Sequence, residues 1–181
     1  MRDVDRGFER LKKRLEKIQR NPNFVKVGLL GDGKKNKRRG EGELTNLEIG
    51  IIHEFGAPPH IPERSFIRST FEAQHPEFVR MIRMLVGQMV ANPKGGMTAR
   101  RALGLVGAKV AAEIKKRVTA GEPVPPPNTP EVFMRKLLGS RYAKRQFNKT
   151  GAPPRPLVDT GQMIGAVTWA VTAEGSSDKE P

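Results

Sequence analysis

Apolar residues in the first twenty positions recur at the interval of a helix seam. Val4, Phe8, Leu11, Leu15 and Ile18 are spaced four, three, four and three apart. That spacing predicts an amphipathic helix over residues 2–20 with one narrow apolar stripe. Eight basic residues and Asp3, Asp5, Glu9 and Glu16 fill its other faces, Gly7 weakens its first turn, and Asn21-Pro22-Asn23 stops it. Such a stripe packs on the chain's own core or, as an arm, on a neighbouring subunit.

The period then changes from helical to alternating. Val25, Val27 and Leu29 share one face of a strand from Phe24 to Leu30, which Gly31-Asp32-Gly33 ends. Residues 31–43 read as a loop rich in Gly, Lys and Arg. A short helix follows through Phe55, capped by Thr45 or Asn46, with Leu47, Ile51 and Phe55 as its apolar positions. Gly56 suits the position past its end, and Pro58-Pro59 forbids continuation.

From Pro62 to Val90 the pattern is again helical. Phe66, Ile67 and Phe71 form one apolar group, and Phe78, Met81, Ile82, Leu85 and Met89 a core-facing stripe. Pro76 is expected to break or kink the run and to start a second helix. After the loop Asn92–Gly96, Thr98 caps a helix with Leu103, Val106, Val110, Ile114 and Val118 inward, Lys115, Lys116 and Arg117 in its last turn, and Gly121 at its close. Five prolines between positions 123 and 130 predict a stiff, extended connector. Thr129-Pro130-Glu131 then opens a basic helix running to about Phe147. Beyond a turn-rich break at Gly151–Pro156, Asp159 or Thr160 is placed to cap a brief helix through Ile164. Val167–Val171 alternates as a final strand, and Gly175–Pro181 reads as a frayed tail.

Two strands so far apart imply an α+β fold. We expect a small mixed or antiparallel sheet covered by several helices, with an extended N-terminal helix and a basic insertion in the C-terminal half. The two-stranded ribbon is marginal alone, so a further pairing, within or between subunits, is expected. The organisation follows: an amphipathic helix or arm over 1–22, a core over 23–121, the Pro-rich and basic insertion over 122–156, a cap turn and last strand over 157–174, and a disordered tail over 175–181.

Composition narrows the chemistry. The chain has 181 residues, no cysteine and three histidines, which removes disulfides, thiol nucleophiles and Cys-ligated metals and leaves zinc poorly supplied. The formal net charge of +14 points to an anionic partner or environment. No apolar run approaches the ~20 residues of a membrane span and no signal sequence is visible, so an intracellular protein without a membrane partner is expected.

Three motifs resemble chemistry and fail on spacing. His53-Glu54 opens like a zinc-protease helix, but position 57 is Ala, so no second imidazole shares the face. Gly31-Asp32-Gly33 follows a strand like a dinucleotide loop, but position 36 is Asn. Leu157-Val158-Asp159-Thr160-Gly161 resembles an aspartic-protease motif, yet too few residues follow for that fold, and a helix cap fits better. No catalytic residue, metal site or cofactor is therefore expected. Between Arg135 and Arg155 stand seven basic residues and no acidic one, interleaved with Tyr142 and Phe147. That run reads either as a nucleic-acid contact through phosphates and stacking or as a solvated basic face.

Four stretches in order resemble the tail-completion, or neck, proteins that join head and tail in long-tailed bacteriophages. They are Gly7-Phe8-Glu9-Arg10-Leu11 with the strand Val25-Lys26-Val27-Gly28; His53-Glu54-Phe55-Gly56; Ile61-Pro62-Glu63-Arg64-Ser65-Phe66-Ile67-Arg68; and Pro156–Met163 leading into Val167–Val171. Ser65 and Met163 depart from the family's usual Pro and Leu, and the segment from about Glu131 to Arg155 is longer than its usual link. The resemblance implies a structural, non-enzymatic virion protein at the neck, assembled in the host cytoplasm. It implies a homo-oligomeric ring, a hexamer, touching other neck, connector and tail-tube or terminator proteins, with genomic DNA in the channel. Under it, His53, Glu54, Phe55, Gly56, Pro62, Glu63, Arg64, Phe66, Asp159, Thr160 and Gly161 are assembly or architectural residues, with Glu54 and Arg64 expected to pair. Arg135, Lys136, Arg141, Lys144, Arg145 and Lys149 face DNA or an acidic neighbour. The alternatives are a nucleic-acid-binding protein using 135–155, or a minor tail or tail-terminator protein.

Overall fold

The computed structural model describes residues 3–20, 23–30, 44–92, 96–119, 124–151, 153–157 and 161–173. The Gly31–Gly33 loop, Gly121, Asp159, Thr160 and the tail over 175–181 lie outside the described residues. The described chain is mostly helical with one small antiparallel sheet, an α+β fold. In chain order the elements are α1 (Asp3–Arg20), β1 (Asn23–Leu29), α2 (Asn46–Phe55), α3 (Ile67–Ala91), α4 (Ala99–Thr119), α5 (Pro130–Gly139), α6 (Arg141–Thr150), α7 (Gln162–Gly165) and β2 (Val167–Ala173).

The two strands find each other. β1 and β2 pair antiparallel, with Asn23 opposite Ala173 and Leu29 opposite Val167. Among the described residues the sheet has these two strands, with no further pairing within the chain. The ribbon is stabilised instead by α4, which lies across it. Gly107 makes that approach possible. A Cβ there would stand 2.7 Å from Val25 Cγ2 and 3.1 Å from Trp169 Cβ, so only glycine lets helix and ribbon come this close. The inward stripe of α4, Val106, Val110, Ile114 and Val118, is buried with Phe66, Phe78, Leu85, Ile164 and Val167 in one apolar core. Thr98 accepts a hydrogen bond from Arg101 N at 3.1 Å, as its capping position predicts.

Four features differ from expectation. Helix α3 runs through Pro76 without a break. Pro76 and Glu72 are both exposed, so water can satisfy the carbonyl that loses its N–H partner. Within the expected stripe Phe78 and Leu85 are buried, while Ile82 is largely exposed. The basic helix after Pro130 is two helices, because Ser140 ends α5 and its hydroxyl caps α6 by accepting from Ala143 N at 3.2 Å. Helix α2 turns Asn46, Gly50 and Glu54 inward and leaves Ile51 and Phe55 exposed, so its apolar positions are not its buried face. The reason is the carboxylate of Glu54, which has a use inside.

Candidate functional site

Helix α3 begins without a cap of its own. Its N-cap residue is Phe66, which offers no side-chain acceptor, and its first turn holds no acidic residue. The four leading N–H groups of a helix must nevertheless be satisfied, and they carry the positive end of its dipole. Glu54, at the end of α2, supplies the missing acceptor. Its carboxylate accepts from Phe66 N at 2.8 Å, Ile67 N at 2.9 Å and Arg68 N at 2.9 Å, and from Ser65 Oγ at 2.8 Å. Glu54 is 6% exposed, and four donors at these distances offset the cost of burying its charge. Arg68 adds an ion pair at 3.7 Å, bonds Glu63 as well, and lies over the ring of Phe55.

The expected Glu54–Arg64 pair does not form. Arg64 points the other way, donating from Nε to Pro126 O at 2.9 Å and from Nη2 to Pro127 O at 3.4 Å. The two charges thus serve two junctions: Glu54 joins α2 to α3, and Arg64 joins this corner to the proline connector. Between them the backbone closes tightly. Arg64 N donates to His53 O at 2.7 Å, and Ala57 and Ile61 exchange backbone bonds at 2.8 and 3.0 Å. Gly56 sits at φ 77° and ψ 170°, a conformation open essentially to glycine alone, and a Cβ there would meet Glu63 N at 2.8 Å. Glu54, Gly56 and Arg64, with the carbonyl of His53, hold this corner together. Phe66 is fully buried, whereas Phe55, Pro62 and Glu63 are exposed.

Beside this corner lies an open cleft of about 710 Å³. His53, Pro62 and Arg64 line one wall, Arg135 and Lys136 of α5 another, and Gly161 a third. The structure so brings together members of both residue groups named from sequence. His53 Nδ1 is buried there without a hydrogen-bond partner. Desolvation, then the positive charges of Arg64 and Lys136, pull the His53 pKa from 6.5 to about 4, so the ring is neutral near pH 7. Burial also lowers Arg64 from its usual value. Lys136 is committed in part, donating to Arg155 O at 2.8 Å.

Helices α5 and α6 carry the basic run apart from Arg155. Phe133 meets Phe147 edge to face, with ring centroids 6.1 Å apart. Phe147 is half-buried in this contact. Arg141, Lys144, Arg145 and Lys149 are exposed along α6. The cap assigned to Asp159 and Thr160 lies outside the described residues; the N-cap position of α7 is Gly161, at φ 78°, which has no side chain to bond.

Sequence reasoning missed Arg68, Ser65 and the carbonyls of Pro126 and Pro127 as partners in this corner. The missing cap on α3 was the available signal, since a helix start without an acceptor implies one delivered from elsewhere in the chain. No group of acidic or histidine side chains among the described residues is arranged to hold a metal ion. No helix among them is long and apolar enough to cross a membrane.

Comparison with known proteins adds no relative. No protein-family model matches the sequence, and no curated protein and no solved structure matches it.

Proposed function

We propose that the chain is a structural virion protein of a tailed bacteriophage, a tail-completion or head–tail connector component. It acts by binding rather than by catalysis, as one subunit of a homo-oligomeric ring, a hexamer, between the portal side and the tail. Its neighbours in this reading are other neck, connector and tail-tube or terminator proteins, with genomic DNA in the channel. It is assembled in the host cytoplasm and ends in the virion neck.

One observation carries the reading. The stretches that resemble neck proteins are far apart in sequence, yet most of their length meets in one body. β1 pairs with β2, which ties the first stretch to the fourth. Glu54 and the Arg64–His53 backbone bond tie the second to the third. Gly161 lines the same cleft as His53 and Arg64. Residues that hold one another in place across a chain support a scaffold role, and the carboxylate of Glu54 and the guanidinium of Arg64 are used in holding it.

Negative-stain microscopy of lysates from a phage with an amber stop in this gene tests the reading. Filled heads separate from finished tails are expected. Heads without tails would move the protein to tail assembly, as a minor tail or terminator protein. Infectious particles would overturn the structural role.

A second reading, a nucleic-acid-binding protein, is favoured by one feature: the four exposed cations of α6. It requires DNA affinity that falls steeply with salt, with a shallower slope once Arg141 and Arg145 are replaced.

A further inference from the structure

The cleft beside the Glu54 corner holds more positive charge than its walls answer. Arg64, Arg135 and Lys136 line it, and Glu131 is the one carboxylate in its lining among the described residues. Asp159 stands in sequence between two lining residues, Leu157 and Gly161, and counting it as well still leaves the cations in excess. Arg135 is exposed and makes no ion pair or hydrogen bond among the described residues, although Glu131 stands one turn before it on α5. On the wall opposite, His53 Nδ1 is buried and has no hydrogen-bond partner among the described residues. We propose that the cleft takes a carboxylate side chain from an acidic peptide segment of a partner protein, with Arg135 as its ion-pair partner and His53 Nδ1 as a second contact. The inference does not rest on the virion role.

The rest of the lining chooses among anions. Pro59, Ile61, Pro62, Pro126 and Met163 give the cleft apolar walls between its cations. A peptide that carries a carboxylate beside aliphatic side chains buries the latter on these walls and pairs its charge with the guanidinium. A nucleic-acid duplex presents its phosphates on a broad convex surface and cannot bring them into a recess, so the exposed row on α6 suits it better. The volume, about 710 Å³, falls within the ~300–1,000 Å³ of ligand clefts and admits a few side chains but no folded domain. His53 carries a second sign of the unanswered charge. Desolvation, and after it Arg64 and Lys136, lower its pKa to about 4, and a carboxylate in the cleft opposes those two cations.

A random hexapeptide library on beads, selected on the full-length protein, tests this. Enriched peptides with Asp or Glu beside apolar residues are expected. Once resynthesised, their Kd by titration calorimetry is expected to rise at least tenfold in Arg135→Gln and less than threefold in Arg141→Gln, which removes the same unit of charge from α6. Both positions are exposed, so neither change removes a packed side chain. The ring proton signals of His53, assigned by their loss in His53→Gln, are expected to move on titration. No acidic enrichment, or equal losses in the two arginine variants, would overturn the proposal and leave only attraction by the whole charge. Peptide binding that appears only in Asp159→Asn would mean that the chain's own carboxylate fills the cleft, and would overturn it too. So would displacement of the peptide at fixed ionic strength by inorganic phosphate or by a single-stranded oligonucleotide whose own binding needs Arg135, which would assign the cleft to phosphates. The neck reading fails separately: an amber phage that stays infectious removes the virion role while leaving the peptide affinity and its dependence on Arg135 standing.

Discussion

The corner around Glu54 and the basic pair α5–α6 are both dense in charge, yet they use it in opposite ways. At the corner each charge has internal partners: Glu54 four donors, Arg64 two carbonyls, Arg68 two carboxylates. Along α6, Arg141, Lys144, Arg145 and Lys149 reach solvent. The sequence shows charge in both places and does not distinguish them. The difference lies in what stands nearby in space, a bare helix start in one case and water in the other. Charge used to hold a fold reports little about ligands; charge left exposed is what a partner meets.

Removing the corner's carboxylate tests that contrast most severely. Glu54→Ala leaves three backbone donors and Arg68 without their acceptor, and is expected to cost about 3–5 kcal/mol in urea unfolding. A cost below ~1 kcal/mol would show that the α2–α3 joint does not depend on this cap. Gly56→Ala comes next. Its left-handed backbone and the clash with Glu63 N predict a loss of about 2 kcal/mol, read as a lower urea midpoint at unchanged slope.

The pH dependence separates the corner from the basic pair without removing a cap. The folded His53 pKa lies near 4, below the unfolded 6.5, so the unfolded chain binds the extra proton between those values. Stability is therefore full above pH 6.5, falls as the pH drops toward 4, and levels off below it, by about 1–2 kcal/mol once solvent screening is allowed for. His53→Gln is expected to remove this component, and an unchanged pH profile in the variant would refute its assignment to His53. The smallest effect belongs to α6. Arg141→Ala with Arg145→Ala should leave stability within about 0.5 kcal/mol of the parent while weakening any anionic partner. A large loss of stability would mean that α6 is not the free surface described.

Much of the fold was legible because local rules govern it. Thr98, Thr129 and Pro130 mark real helix starts, and the 25–29 and 167–171 alternations are real strands. The orientation of α2 was not legible, since hydropathy alone favours burying Ile51 and Phe55 and says nothing of a cap needed by another helix. The same gap explains the misassigned partner of Glu54: Arg64 was the nearest cation of the motif in view, and the hydrogen-bond demand of α3 decided otherwise. The break at Ser140 was hidden because Gly139-Ser140 falls inside an otherwise continuous helical pattern, where Ser serves equally as interior residue or cap.

The pairing of β1 with β2 also sets an order of events. Leu29 must wait for Val167, which leaves the ribosome roughly 140 residues later. At ordinary translation speeds that is a delay of about 7–28 s. Helices α3 and α4, neighbours in sequence, can dock within that interval, while the part of α4 around Gly107 that Trp169 covers has no partner yet. Completion of the ribbon thus waits for the last strand of the chain.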